Sequence, residues 1–463
     1  LSEWRVSDPY TTRDDAISPP PASWVARCRQ LGPSIVITGS IVGSGELVLT
    51  SSLGAAAGFA LLWWMLVCCW SKSIVQAELA RYIVVSGDTY LRALNRVPGR
   101  LPGPAGPVSW TLWFSLLSFI PGLIGMGGIV GGTGQALALM MPAVDSRWLT
   151  ALVAVAASAI LYTGSYRRLE WTMVVLVAGF TVATLIAAIA MQFTDYRVSS
   201  SELAAGFGFD FPAEHVLLAL AVYGATGVNS AEISTYSYWC IEKGYPRYIG
   251  AQLDDPSWLA RARGWIRVLQ LDVWVTLAIL TCATLPFYLL GAGVLHATGQ
   301  KPQGLETVQV LSTMFTQTLG GWSLWLFVGA AFCILFSTVV GGFGGISRFA
   351  PDYLVELGYL HRERLSARMR WIRVCGGVLP IASLMFYALF PNPVALLTVG
   401  ALMGALLLPV QSGATLWLQR HRMDARVRPA TAVRAFLWMT FLFQVLMSLI
   451  LAWSILRGVR IKF

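Results

Sequence analysis

Uncharged stretches recur along the chain at lengths that fit membrane crossing, since about 20 apolar residues in a helix span a bilayer core. Leu31–Ser71 carries a single charge, Glu46, and holds two helices divided at Gly54–Gly58. Leu101–Val144 is uncharged, and with Pro102, Pro104 and Pro107 at its start the spanning part is predicted as Ser109–Met140. Leu149–Tyr162 and Trp171–Thr194 give one helix each, and His215–Cys240 gives another interrupted only by Glu232. Val273–Leu295 and Thr307–Ser347 follow, the latter with an amphipathic approach. Val374–Gln419 is divided by the turn signal Pro391-Asn392-Pro393, and Ala435–Leu456 closes a count of eleven spans.

Composition agrees. Of 463 residues 56% are apolar and 12% charged, with a mean hydropathy of +0.64, whereas soluble chains carry about 25% charged residues. The net charge of +10 is explained by topology. Lys and Arg favour cytoplasmic loops, and most follow even-numbered spans, among them Arg92, Arg167, Arg261, Arg368 and Arg422; the opposite loops hold Arg147, Arg197 and Lys301. The prediction is a multi-pass protein of a plasma or bacterial inner membrane, amino terminus cytoplasmic and carboxyl terminus outside, although Arg457, Arg460 and Lys462 run against the rule. The expected organisation is a cytoplasmic segment over 1–30, a core of ten helices over 31–430, and an eleventh helix with the carboxyl terminus over 431–463. No signal peptide, nucleic-acid partner, cofactor or enzymatic triad is expected, the lipid bilayer is the surrounding partner, and a monomer is consistent with the pattern. The seven cysteines lack metal or disulfide spacing and read as packing residues.

Ionisable residues within spans point to function. Span 1 reads Thr38-Gly39-Ser40-Ile41-Val42-Gly43-Ser44-Gly45-Glu46, and span 6 reads Gly224-Ala225-Thr226-Gly227-Val228-Asn229-Ser230-Ala231-Glu232. Glycine at that density opposes a continuous helix, and non-helical backbone at membrane depth is tolerated only inside protein or along a cavity. Both helices are therefore predicted to break, near Gly43–Glu46 and Thr226–Ser230. Ser44-Gly45-Glu46-Leu47 and Ser230-Ala231-Glu232-Ile233 share one pattern at the start of each block of five spans, as expected of an inverted repeat with a midplane site.

Gly32-Pro33, Gly58-Phe59-Ala60-Leu61-Leu62-Trp63, Tyr166-Arg167-Arg168-Leu169-Glu170, Gly224-Ala225-Thr226 and Ser337-Thr338-Val339-Val340-Gly341-Gly342 together resemble the Nramp family of divalent metal transporters over roughly spans 1 to 10. The resemblance implies an all-α LeuT-like fold of five plus five inverted helices, with helices 1 and 6 unwound around a metal ion. The family's helix 1 motif, Asp-Pro-Gly-Asn, is replaced by Gly43-Ser44-Gly45-Glu46. Its helix 6 motif, Met-Pro-His-Asn, becomes Asn229-Ser230-Ala231-Glu232 with a one-residue insertion, or starts at Val228 without one. Span 3 lacks the carboxylates that serve proton movement in the family, so the usual proton coupling is not expected.

Candidate substrate-binding residues are Val42, Gly43, Ser44, Gly45, Glu46, Ala225, Thr226, Gly227, Asn229, Ser230 and Glu232, with Glu46, Asn229 and the carbonyl of Ala225 as metal ligands. Such oxygen donors suit Mg²⁺ or Mn²⁺, and a small inorganic cation of this kind is the expected substrate of a secondary transporter. The alternative is a small oxyanion such as bicarbonate, which half-helix N-termini and hydroxyls also favour. A non-transporting membrane sensor is the third reading; Nramp-like domains serve signalling when joined to a long soluble tail, and no such effector is expected here. Structural roles also compete. Glu46 and Glu232 would then bond unwound amides, Glu78 and Arg81 would form an ion pair, Asp272 a salt bridge, Gly341–Gly345 a close packing face, and His215 and His296 would face water at span ends.

Overall fold

A computed structural model describes residues 10, 16–31, 43–163, 166–361 and 365–458, with backbone alone over 166–177. The membrane helices are numbered in chain order. The described part of α1 starts at a bend at Gly43, runs through a π-helical turn over Gly45–Thr50 and continues as Ser51–Ala57. Then come α2 (Leu62–Ser86), α3 (Trp110–Met140), α4 (Ser146–Thr163) and α5 (Tyr166–Ala190). The sixth is split into α6a (Val216–Ala225) and α6b (Ser230–Lys243). The rest are α7 (Pro256–Leu290), α8 (Ser323–Glu356), α9 (Leu365–Leu389), α10 (Pro393–His421) and α11 (Thr431–Leu456). Eight of these stretches, α3, α4 and α6 to α11, are long and apolar enough to cross a membrane by length and composition. Among the described residues the helices are interrupted by one small β-ribbon, Arg100–Leu101 against Val108–Ser109.

Several boundaries move for physical reasons. Charge ended the second predicted span at Ser71, yet α2 continues to Ser86 with Lys72, Glu78 and Arg81 buried inside the bundle. Arg81 is paired with Glu78 at 2.9 Å, and Gln419 also donates to that carboxylate at 2.7 Å. The α1–α2 turn needs Gly58 at φ +58°, and α7 pins it: the Tyr288 hydroxyl donates to the Gly58 carbonyl at 2.7 Å and accepts from the Leu61 amide at 3.0 Å. His296, expected to face water, is exposed, and its ring also packs over Gly58 and bonds the Ala55 carbonyl at 2.9 Å. Asp272 is fully buried and accepts from the Tyr236 hydroxyl at 2.8 Å. At the α9–α10 turn Asn392 caps α10, accepting from the Ala395 amide at 3.2 Å.

Small residues bring the helices into close contact, as in membrane bundles generally. A Cβ on Gly400 of α10 would lie 2.8 Å from the Cα of Gly125 in α3. In α8, a Cβ on Gly345 would meet Thr235 at 2.6 Å and one on Gly342 would meet Met126 at 2.9 Å, so this glycine run is a packing face. The tightest backbone approach joins α6a to α10, where a Cβ on Gly224 would sit 1.9 Å from the Ala401 carbonyl oxygen. The obstacle is backbone, so Gly224→Ala must push α6a off α10. We expect it to lower stability by the overpacking cost of about 1–3 kcal/mol or more, read as a lower unfolding temperature in detergent.

At the Arg-rich helix ends the amino-terminal segment docks on the bundle. The Ser18 amide donates to the Tyr248 carbonyl at 3.1 Å, and the Trp265 indole to the Ser18 carbonyl at 3.0 Å. Tyr10 is buried where α6b, α8 and α9 meet: its hydroxyl donates to Glu242 at 2.7 Å, and the Arg368 guanidinium lies 4.0 Å over its ring. Burial and the neighbouring Glu242 carboxylate hold this phenol well above its ordinary range, so it stays a donor. Arg368 is paired with Asp352, which also accepts from the Tyr238 hydroxyl at 2.6 Å.

Candidate transport site

The break in helix 6 is built by its sequence. Gly227 takes φ +67°, which side-chain-bearing residues rarely adopt. Asn229 then starts α6b with a capping box: its side-chain oxygen accepts from the Glu232 amide at 3.0 Å, and Glu232 accepts from the Asn229 amide at 2.8 Å. On the other side of the break, the carbonyls of Gly224 and Ala225 fall among the last four of α6a, which have no partner within the helix.

These groups open on a cavity of about 180 Å³ between α1, α3, α6, α8 and α10. Of the residues predicted from sequence, Ser44, Gly45, Ala225, Asn229, Ser230 and Glu232 line it. Glu232 is the one charged residue among the lining positions, with one oxygen bonded to the Asn229 amide. Hydroxyls and small residues make up most of the polar wall, including Ser118, Ser234, Thr235 and Thr338. Among the described residues no group of three or more His, Cys, Asp and Glu side chains converges as a metal cage. A cation in the cavity would therefore meet one carboxylate, carbonyls, an amide and hydroxyls. At about 30 Å³ per water, the space also holds roughly six water molecules, so the ion could enter partly hydrated.

Gly43, Glu46, Thr226 and Gly227 are not among the lining residues, and Val42 lies outside the described ones. Glu46 thus stands behind the wall of this cavity. Glu46 is fully buried and accepts from the Gly43 amide at 3.2 Å and the Gly227 amide at 3.1 Å. Of the predicted unwinding at Gly43–Glu46 the described residues show a bend at Gly43, with helix from Ser44 on. Bare amides at that bend and at the break of helix 6 attract the carboxylate, so it bridges the start of the described part of α1 and the break of helix 6. The shared sequence pattern has a structural counterpart here. Glu46 accepts from the amide three residues before it, as Glu232 does, and sends its second oxygen to the other half.

Sequence reasoning missed two residues. Lys72 of α2 is fully buried, and its ammonium donates to the carbonyls of Tyr223 and Thr226 at the end of α6a. The signal was present as a lysine in mid-helix, but it was read as the end of an uncharged run. Met126 of α3 also reaches the cavity wall and is the one thioether there among the described residues; in the sequence it is one apolar residue within an uncharged span.

A five-plus-five bundle with an interrupted helix 6 beside a cavity among helices 1, 3, 6, 8 and 10 is an architecture of secondary membrane transporters. The solved structures that resemble this chain share it. A manganese transporter of Eremococcus coleocola is 15% identical with a TM-score of 0.66, covering 95% of this chain and 90% of that one. Mhp1, a nucleobase-cation-symport-1 family transporter in a closed conformation, is 11% identical with a TM-score of 0.57 over 97% and 96% of the two chains. MhsT in complex with L-phenylalanine is 15% identical with a TM-score of 0.54 over 94% and 99%. The family model described as natural resistance-associated macrophage protein-like matches residues 34–454, and the chain belongs to the Nramp family. It is a multi-pass membrane transporter of the metal-ion class and not an enzyme. An uncharacterised protein of Pasteurella multocida is 24% identical over 347 residues, 71% of each chain.

Proposed function

We propose that the protein carries a hard divalent cation, Mg²⁺ or Mn²⁺, by alternating access, with Glu232, Asn229 and the carbonyl of Ala225 as the groups that meet the ion. The observation that carries this reading is Glu232, the single formal charge on the cavity wall among the described residues. One oxygen is engaged by the Asn229 amide, which fixes the carboxylate's position while the residue remains part of the wall. Oxygen donors with retained water suit Mg²⁺ and Mn²⁺, and the thioether of Met126 favours Mn²⁺ of the two. A negative wall works against bicarbonate, and the positive charge nearby, on Lys72, is directed to helix carbonyls. We further infer that protons do not move through α3, which has no titratable side chain over Ser109–Met140. The distribution of Lys and Arg supports a cytoplasmic amino terminus.

Proteoliposomes loaded with a pH dye test these statements together. Saturable uptake of Mn²⁺ and Mg²⁺ without internal acidification is expected, with Met126→Ala reducing Mn²⁺ flux more than Mg²⁺ flux. Saturable bicarbonate uptake in vesicles that pass neither metal would overturn the substrate, and proton flux lost on substitution within Pro121–Gly128 alone would overturn the coupling.

A further inference from the structure

The back of the helix 6 break poses an electrostatic problem distinct from ion binding in the cavity. A helix C-terminus carries about half a negative charge, and its final carbonyls need partners where no water reaches. At the end of α6a the partner is Lys72, whose buried ammonium donates to the Tyr223 and Thr226 carbonyls and lies 4.9 Å from the Tyr223 ring centroid. The Thr226 hydroxyl is tied to Thr50 of α1 at 2.9 Å. Glu46 holds the next amide of the same break, Gly227, and its charge and that of Glu232 act on the ammonium. Two carbonyl oxygens, a helix C-terminus, a ring face and two nearby carboxylates form the environment that a small monovalent cation seeks.

We propose that Lys72 is a tethered resident cation: its ammonium fills a monovalent-cation site behind the helix 6 break, so that assembling the break requires no free Na⁺ or K⁺. A neutral donor could satisfy the carbonyls, but it would remove the positive charge that acts on Glu46 and Glu232. The lysine supplies both, and because it is covalently held it neither leaves nor crosses the membrane during transport.

Truncation with ion replacement tests this, using the full chain in detergent and unfolding temperature as the readout. That readout does not depend on which ion the cavity carries. Lys72→Ala empties the site while leaving its carbonyls and carboxylates. Its unfolding temperature is expected to fall in N-methylglucamine buffer and to recover saturably with Na⁺, K⁺ or methylammonium, while wild type does not respond. Lys72→Met, which fills the space without charge, should be destabilised and should not recover. A Lys72→Ala protein as indifferent to these cations as wild type, or one that none of them allows to fold, overturns the proposal. A second measurement uses wild-type protein. The chain has four lysines, and on reductive methylation Lys72 should stay unmodified while Lys243 and Lys301 react; equal modification of Lys72 also overturns it.

Discussion

Replacing Glu232 with glutamine should weaken binding of Mn²⁺ and Mg²⁺ at least tenfold in calorimetric titration, about 1.4 kcal/mol, while leaving the fold in place. The two halves of this expectation have separate causes. Glutamine serves as well as glutamate in a capping box, so its oxygen can keep the bond from the Asn229 amide, 2.8 Å in the native protein. What disappears is the one formal charge on the cavity wall, and a hard cation loses its strongest partner with it. Unaltered affinity in a folded variant would remove Glu232 from the site and the divalent-cation reading with it.

Glu46→Ala should have the opposite profile, a large loss of stability and a small change in the affinity of the folded fraction. The substitution strands the Gly43 and Gly227 amides, which the carboxylate now satisfies at 3.2 and 3.1 Å, and removes one of the carboxylates whose charge acts on Lys72. Removing one partner from a buried charged arrangement costs about 3–5 kcal/mol. Thermal unfolding of wild type and variant, followed by titration of whatever folds, separates the two effects. A tenfold loss of affinity at unchanged stability would instead make Glu46 a ligand, the role its sequence position suggested.

The break in helix 6 was legible in the sequence because two independent signals coincide there, glycines that oppose a helix and a carboxylate that lipid does not tolerate without a use; the same signals in α1 fall on Ser44–Glu46, which is helical. The difference between the carboxylates was hidden. Ser44-Gly45-Glu46 and Ser230-Ala231-Glu232 are the same pattern, and only folding brings Gly227 beside Glu46 to claim its second oxygen. Lys72 was misread for a related reason. Counting uncharged residues treats a lysine as the edge of the membrane, whereas α2 carries it into the bundle because the end of α6a supplies its acceptors. The start of α7 at Pro256 rather than near Val273 shows the same limit, since Arg261, Arg263 and Arg267 lie in its first turns.

The cluster of Tyr10, Arg368 and Asp352 ties the amino-terminal segment to α6b, α8 and α9 at one end of the bundle. A state of the proposed alternating-access cycle that parts those helices would bring a sheltered ion pair into contact with solvent. The free energy of hydrating charged groups carries a strongly negative entropy and becomes less favourable on heating. Exposure of this pair therefore makes a temperature-dependent contribution that favours the closed arrangement more as the membrane warms, and the balance between the two faces of the transporter becomes a thermal property set in part by a tyrosine far from the ion.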